Sequence, residues 1–79
     1  MPEKSLPLLR QAAALEPDNP QVLFRAGEGY EFLHHREEAL HWIGMALGKK
    51  YSLETLKRNP EMAALIADRR FAAIAAKYQ

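Results

Sequence analysis

The chain has 79 residues, formal net charge +1, 48% hydrophobic and 27% charged residues, which is globular rather than disordered composition. A domain of this length buries only about 60% of the surface its unfolded chain exposes, so it has room for a binding surface but little for a deep, dry active site. Cysteine is absent, which excludes disulfides, thiolate zinc sites and cysteine nucleophiles.

Alanine and leucine together number 24, against five for valine, isoleucine and threonine. Small and straight side chains keep their rotamer freedom in helices and β-branched ones lose it, so the expected class is all-α. The longest apolar runs, Met62–Ala67 and Phe71–Ala76, are six residues each and too short to span a bilayer. No apolar signal core follows the first residues, and a cytoplasmic protein is expected.

Taken in chain order, Ser5 is placed as cap of a first helix, with Pro7 in its first turn and Leu8, Leu9, Ala12 and Leu15 as its apolar stripe. Pro17-Asp18-Asn19-Pro20 is a turn, since both prolines disfavour helix in the residue before them. Asn19 then caps a second helix that opens on Pro20 and runs to about Leu33, with Leu23, Ala26, Gly27, Tyr30 and Leu33 on one face. His34-His35 is a short connection. A third helix, Arg36 to Leu47, begins with Glu37 and Glu38 at the positive end of its dipole. Its apolar face is Ala39, Leu40, Ile43, Ala46 and Leu47, and Gly48 is the expected C′ stop. Ser52 caps a short helix, Leu53 to Arg58. Asn59-Pro60-Glu61 is a further start signal, ahead of Met62, Leu65 and Ile66. Asp68 caps a last helix carrying Phe71, Ile74, Ala75 and Tyr78.

A shift of 34 residues carries Leu9 onto Ile43, Ala12 onto Ala46, Ala13 onto Leu47, and the Pro17 turn onto the Tyr51 turn. The stretch Leu23-x2-Ala26-Gly27-x2-Tyr30…Ala39-x3-Ile43 resembles the tetratricopeptide repeat, a 34-residue pair of antiparallel helices. The resemblance covers a full repeat at 20–53, preceded at 5–17 by the second helix of a partial one. Leu23 replaces the usual tryptophan, Ala26 a leucine, Ile43 a phenylalanine, and Tyr51 a proline. The physics is independent of the family: Ala26, Gly27, Ala39 and Ala46 allow close helix approach, while Leu23, Tyr30 and Ile43 fill the space between. Residues 54–79 form a degenerate closing segment, in which a third repeat would put Pro60 in the place of Ala26. Its RNPEMAALIADRRFAAI string is similar to stretches that end such arrays in bacterial proteins. A single domain over residues 1–79 follows, and a lone hairpin of this kind leaves apolar surface for a neighbour to cover.

What the resemblance implies is a non-enzymatic protein-interaction or scaffold module. In such repeats the first helix of each hairpin lines a concave surface that holds an extended peptide or a partner helix. On that basis Gln21, Phe24, Arg25, Glu28 and Phe32 contact a partner. Aromatic and arginine side chains are also the types that anchor interfaces. The family's carboxylate clamp is not carried over, because Arg25 stands where its asparagine would be and Gln21 and Phe24 are not lysines. Self-association, or service as a regulatory segment of a larger enzyme or secretion protein, is the alternative.

No catalytic constellation and no cofactor motif is expected. Ser5 and Ser52 read as caps, and Gly27-Glu28-Gly29 lies within a helical pattern rather than a phosphate loop. His34, His35 and His41 lie near Glu31, Glu37 and Glu38, but neighbouring histidines diverge and no HExxH spacing occurs, so exposed loop histidines are expected rather than a metal site. Lys49-Lys50, Lys57-Arg58 and Arg69-Arg70 are basic pairs with little aromatic interleaving, and read as solvated surface rather than a nucleic-acid site. Residues 1–40 carry seven acidic against four basic side chains, and residues 41–79 three against seven. Solvated helix faces account for that asymmetry; head-to-tail association or an acidic partner for the basic half is the sharper reading. Trp42, beside the core face of its helix, is expected to pack on Met62 or Phe71.

Overall fold

The computed structural model describes residues 2–78, with side chains described from Pro7 onward except Leu9. It is all-α: α1 (Pro2–Leu15), α2 (Pro20–Phe32), α3 (Arg36–Gly48), α4 (Leu53–Arg58), a 3-10 turn (Pro60–Met62), α5 (Ala63–Ile66) and α6 (Arg69–Ala76). The connections Glu16–Asn19 and Leu33–His35 are short, which makes successive helices antiparallel neighbours. The most extensive helix pair is α2 with α3; α1 lies on α2, and α6 reaches back to α3. Among the described residues no helix is long and apolar enough to cross a membrane.

The helix starts follow from side-chain chemistry. Asn19 Oδ1 accepts from the backbone N–H of Gln21 at 3.0 Å, and Pro20 takes the first helical position. Ser52 Oγ accepts from Thr55 N–H at 3.1 Å, Asn59 Oδ1 from Glu61 N–H at 3.0 Å, and Asp68 Oδ1 from Arg70 N–H at 2.9 Å. The first helix departs from expectation. It begins at Pro2, so Ser5 lies inside it and Pro7 sits beyond its first turn. The missing N–H of Pro7 leaves one intrahelical bond unmade.

Helix ends fall within one residue of expectation at α2 and α3, but terminate differently. Gly48 is the last residue of α3 rather than its C′ stop, and the left-handed position falls on Lys50, φ 74°. Tyr51 N–H donates to Ala46 C=O at 2.9 Å and Lys50 N–H to Leu47 C=O at 3.0 Å, the paired bonds of a Schellman turn. The α2 end repeats it: His34 has φ 64°, His35 N–H donates to Tyr30 C=O at 2.9 Å, and His34 N–H to Glu31 C=O at 3.0 Å. At the α3 end packing sets the register, because the Tyr51 ring stacks on Phe24 with centroids 4.6 Å apart and planes 7° apart. Gly48 has a spatial role instead, since a Cβ there would meet Tyr78 Oη at 3.2 Å.

The core gathers Leu23, Tyr30, Ala39, Leu40, Ile43, Ala46 and Leu47 from the hairpin with Leu56, Met62, Leu65, Phe71 and Ala75 from the closing segment. The crossing of α2 and α3 is tightest at Gly27, where a Cβ would sit 2.7 Å from Ile43 Cδ1 and 3.2 Å from Ile43 N. Leu23, Ile43, Leu56, Met62 and Leu65 are fully buried, each contributing about 1.5–3 kcal/mol by transfer from water. Two of the four residues of the expected α1 stripe, Leu8 and Leu15, do not face inward, while Ala12 is half-buried. The buried side chain of α1 is Ala13, whereas Leu8 and Leu15 are 67% and 77% exposed. Among the described side chains, α1 meets α2 at Arg10, whose guanidinium lies over the Tyr30 ring at 5.6 Å and whose Nε donates to Tyr30 Oη. Leu9 lies outside the described side chains. Trp42 is half-buried and its ring lies parallel to Tyr30, 6.5 Å away.

Candidate functional site

The outward face of α2 borders two adjoining depressions that share Glu28. The first, about 430 Å³, is lined by Gln21, Phe24, Arg25, Glu28 and Tyr51. The second, about 620 Å³, runs from Glu28 past Phe32 and His34 to Glu61, Met62 and Ala64 of the closing segment, with Glu31 and Arg36 between. The five side chains selected from the sequence therefore border this pair of depressions along α2, taken together as the groove. Their roles within it diverge. Phe24 is only 9% exposed and is held by its stack on Tyr51, so it forms wall and core rather than a free contact. Phe32, two turns further along, is 67% exposed. Gln21 and Arg25 are exposed and Glu28 is half-buried.

The opposite wall was not readable from the sequence. Tyr51, Glu61, Met62 and Ala64 come from the α3 end and the closing segment, and their place depends on how that segment docks. Sequence did show the Asn59-Pro60-Glu61 start that orients the 3-10 turn, but not the helix it faces. Burial, and secondarily the Glu28 carboxylate, push the Tyr51 phenol above its ordinary value, which keeps it neutral.

Ion pairs around Arg36 bridge the closing segment to the hairpin, beside the shared apolar core. Its Nε and Nη2 donate to Glu31 Oε1 and Oε2, both at 2.8 Å, a bidentate pair. Its Nη1 donates to Asp68 Oδ2 at 3.0 Å. Asp68 also accepts from Arg70 Nε at 3.1 Å and Nη2 at 3.0 Å. Hydrogen bonds from the Arg70 side chain, then from its backbone N–H, and further from Arg36 hold the Asp68 carboxyl well below the usual carboxylate range. Glu31, Arg36 and Asp68 are 10%, 30% and 15% exposed at their side chains, partly sheltered from solvent screening. The network joins the end of α2 to α3 and to the cap of α6, with Glu31 and Arg36 also lining the wider depression.

His34, His35 and His41 are exposed, and among the described residues no three metal-ligating side chains gather. Of the basic pairs, Lys49 Nζ reaches Asp18 at 2.7 Å and Arg70 serves Asp68. No protein-family model, curated protein or solved structure matches the chain.

Proposed function

We propose that the chain is a tetratricopeptide-like, non-enzymatic interaction module that holds an extended peptide or a partner helix in the groove along α2. The observation that carries this reading is the groove itself. Gln21, Arg25, Glu28 and Phe32 line it, and Phe32 keeps two-thirds of its surface free near the packed Phe24 and Met62. An exposed aromatic beside a sheltered rim is the composition of an interface anchor. The close crossing at Gly27 and Ile43, the position at which the repeat pattern demands a small residue, supports the family reading. Panning a displayed peptide library against the chain tests it. Selected peptides should lose binding to Phe32→Ala and Arg25→Ala; peptides that bind both variants undiminished would place the interaction elsewhere.

A second reading is self-association through α1, favoured by the exposure of Leu8 and Leu15 seven residues apart on one helix side. A second copy would cover this face in an isologous contact. Sedimentation across a concentration series should show dimer that Leu8→Gln/Leu15→Gln abolishes. A monomer at every concentration ends that reading.

A further inference from the structure

Charge within the groove narrows the chemistry of its occupant. In the wider depression Glu31 is committed to Arg36 through both carboxylate oxygens, and Arg36 is further committed to Asp68. Arg36 is the one Lys or Arg among the residues lining the wider depression; Arg25 lines only the adjoining one, on the other side of Glu28. Glu28 and Glu61 remain, one from each wall, and neither forms an ion pair among the described residues. Phe32 and Ala64 are the exposed apolar side chains of the same depression, with the buried Met62 behind them. The depression thus combines apolar surface with a carboxylate from α2 and one from the closing segment. The chain as a whole carries net charge +1, so any attraction for cations at this place is local rather than global.

We propose that the groove takes a cationic amphipathic segment of a partner protein, with apolar side chains seated on Phe32 and lysine or arginine placed over Glu28 and Glu61. This rests on the groove reading above and adds the sign of the partner. An acidic segment would bring like charge against both walls, which such a site rejects. A cationic one replaces the water on two carboxylates with charge-assisted hydrogen bonds while it covers the exposed phenylalanine.

Two fluorescein-labelled synthetic peptides with identical leucine positions test this by anisotropy. One carries lysine and the other glutamate at its polar positions. The lysine peptide should bind, and affinity should fall as salt rises. Glu28→Gln/Glu61→Gln should weaken it roughly tenfold and flatten the salt dependence, and Phe32→Ala should weaken it without altering that dependence. Helical circular dichroism confirms that the variants fold, and Glu61→Lys, at an exposed rim position, provides an independent charge reversal. Lysine-peptide binding that is unchanged in the double variant overturns the cationic assignment. Glutamate-peptide binding that is lost on Phe32→Ala overturns the sign and leaves the groove reading standing. Binding of neither peptide, or no response to Phe32→Ala, overturns both.

Discussion

Gly27 and Gly44 sit on the two helices of one hairpin and should respond oppositely to the same substitution. A methyl group at Gly27 meets Ile43 at 2.7 Å with the Ile43 backbone 3.2 Å behind it, whereas at Gly44 the nearest atom is Ile74 Cγ2 at 3.4 Å. Gly27→Ala should therefore cost about 1–3 kcal/mol through overpacking, while Gly44→Ala should gain up to about 1 kcal/mol from helix propensity. Urea denaturation of the two variants checks both signs. The phenylalanines of α2 form a similar contrast. Phe24→Ala should lose about 3 kcal/mol, because it empties the stack on Tyr51, and Phe32→Ala should change stability by less than about 0.5 kcal/mol. Thermal melts of the pair distinguish wall from contact. Helical spacing places Phe24 and Phe32 on the same side, and that much was legible. That Tyr51 closes over one and leaves the other open depends on a residue 27 positions away from Phe24 in the chain.

At the level of elements, four side-chain N-caps were legible, the start of α1 was not, and the conformation that ends α2 and α3 was not. Asn19, Ser52, Asn59 and Asp68 cap as their chemistry requires, because an N-cap bond is made within three residues of the side chain that accepts it. The ends of α2 and α3 place His34 and Lys50 in the left-handed region, although glycine is the residue that region favours. At α3 the Tyr51 contact decides the register over the local preference of Gly48. Elements are also where acid sensitivity arises. Asp68 is held below its ordinary pKa in the folded chain, so the unfolded chain binds a proton first as pH falls. The stability this carboxylate contributes is complete above the unfolded value of about 3.9 and is lost as pH drops through that value toward the folded one. Stability followed from pH 6 to pH 2 should fall less steeply below about pH 4 in Asp68→Asn than in the parent chain. An identical slope would detach Asp68 from the acid response.

For the molecule as a whole, a single core cluster draws on α1, on the hairpin and on the closing segment, and the radius of gyration of 11.5 Å matches the value of about 12 Å for a compact chain of this length. Unfolding should accordingly be one transition: Trp42 fluorescence in the hairpin and far-ultraviolet ellipticity of all helices should give coincident urea midpoints. An earlier midpoint by ellipticity alone would mean the closing segment melts separately. The sequence by itself determined the helical class, the order of the helices, the caps at Asn19, Ser52, Asn59 and Asp68, and the inward face of the hairpin. Those properties depend on composition, 3.6-residue periodicity and bonds between near neighbours in the chain. Only the tertiary structure decided that Leu8 and Leu15 face outward, that Leu56 and Phe24 are buried, and that Glu31, Arg36 and Asp68 lock the closing segment across the hairpin. Which part of the α2 face is left uncovered depends on contacts such as Phe24 with Tyr51 and Arg36 with Asp68, 27 and 32 positions apart, and no local pattern encodes that docking.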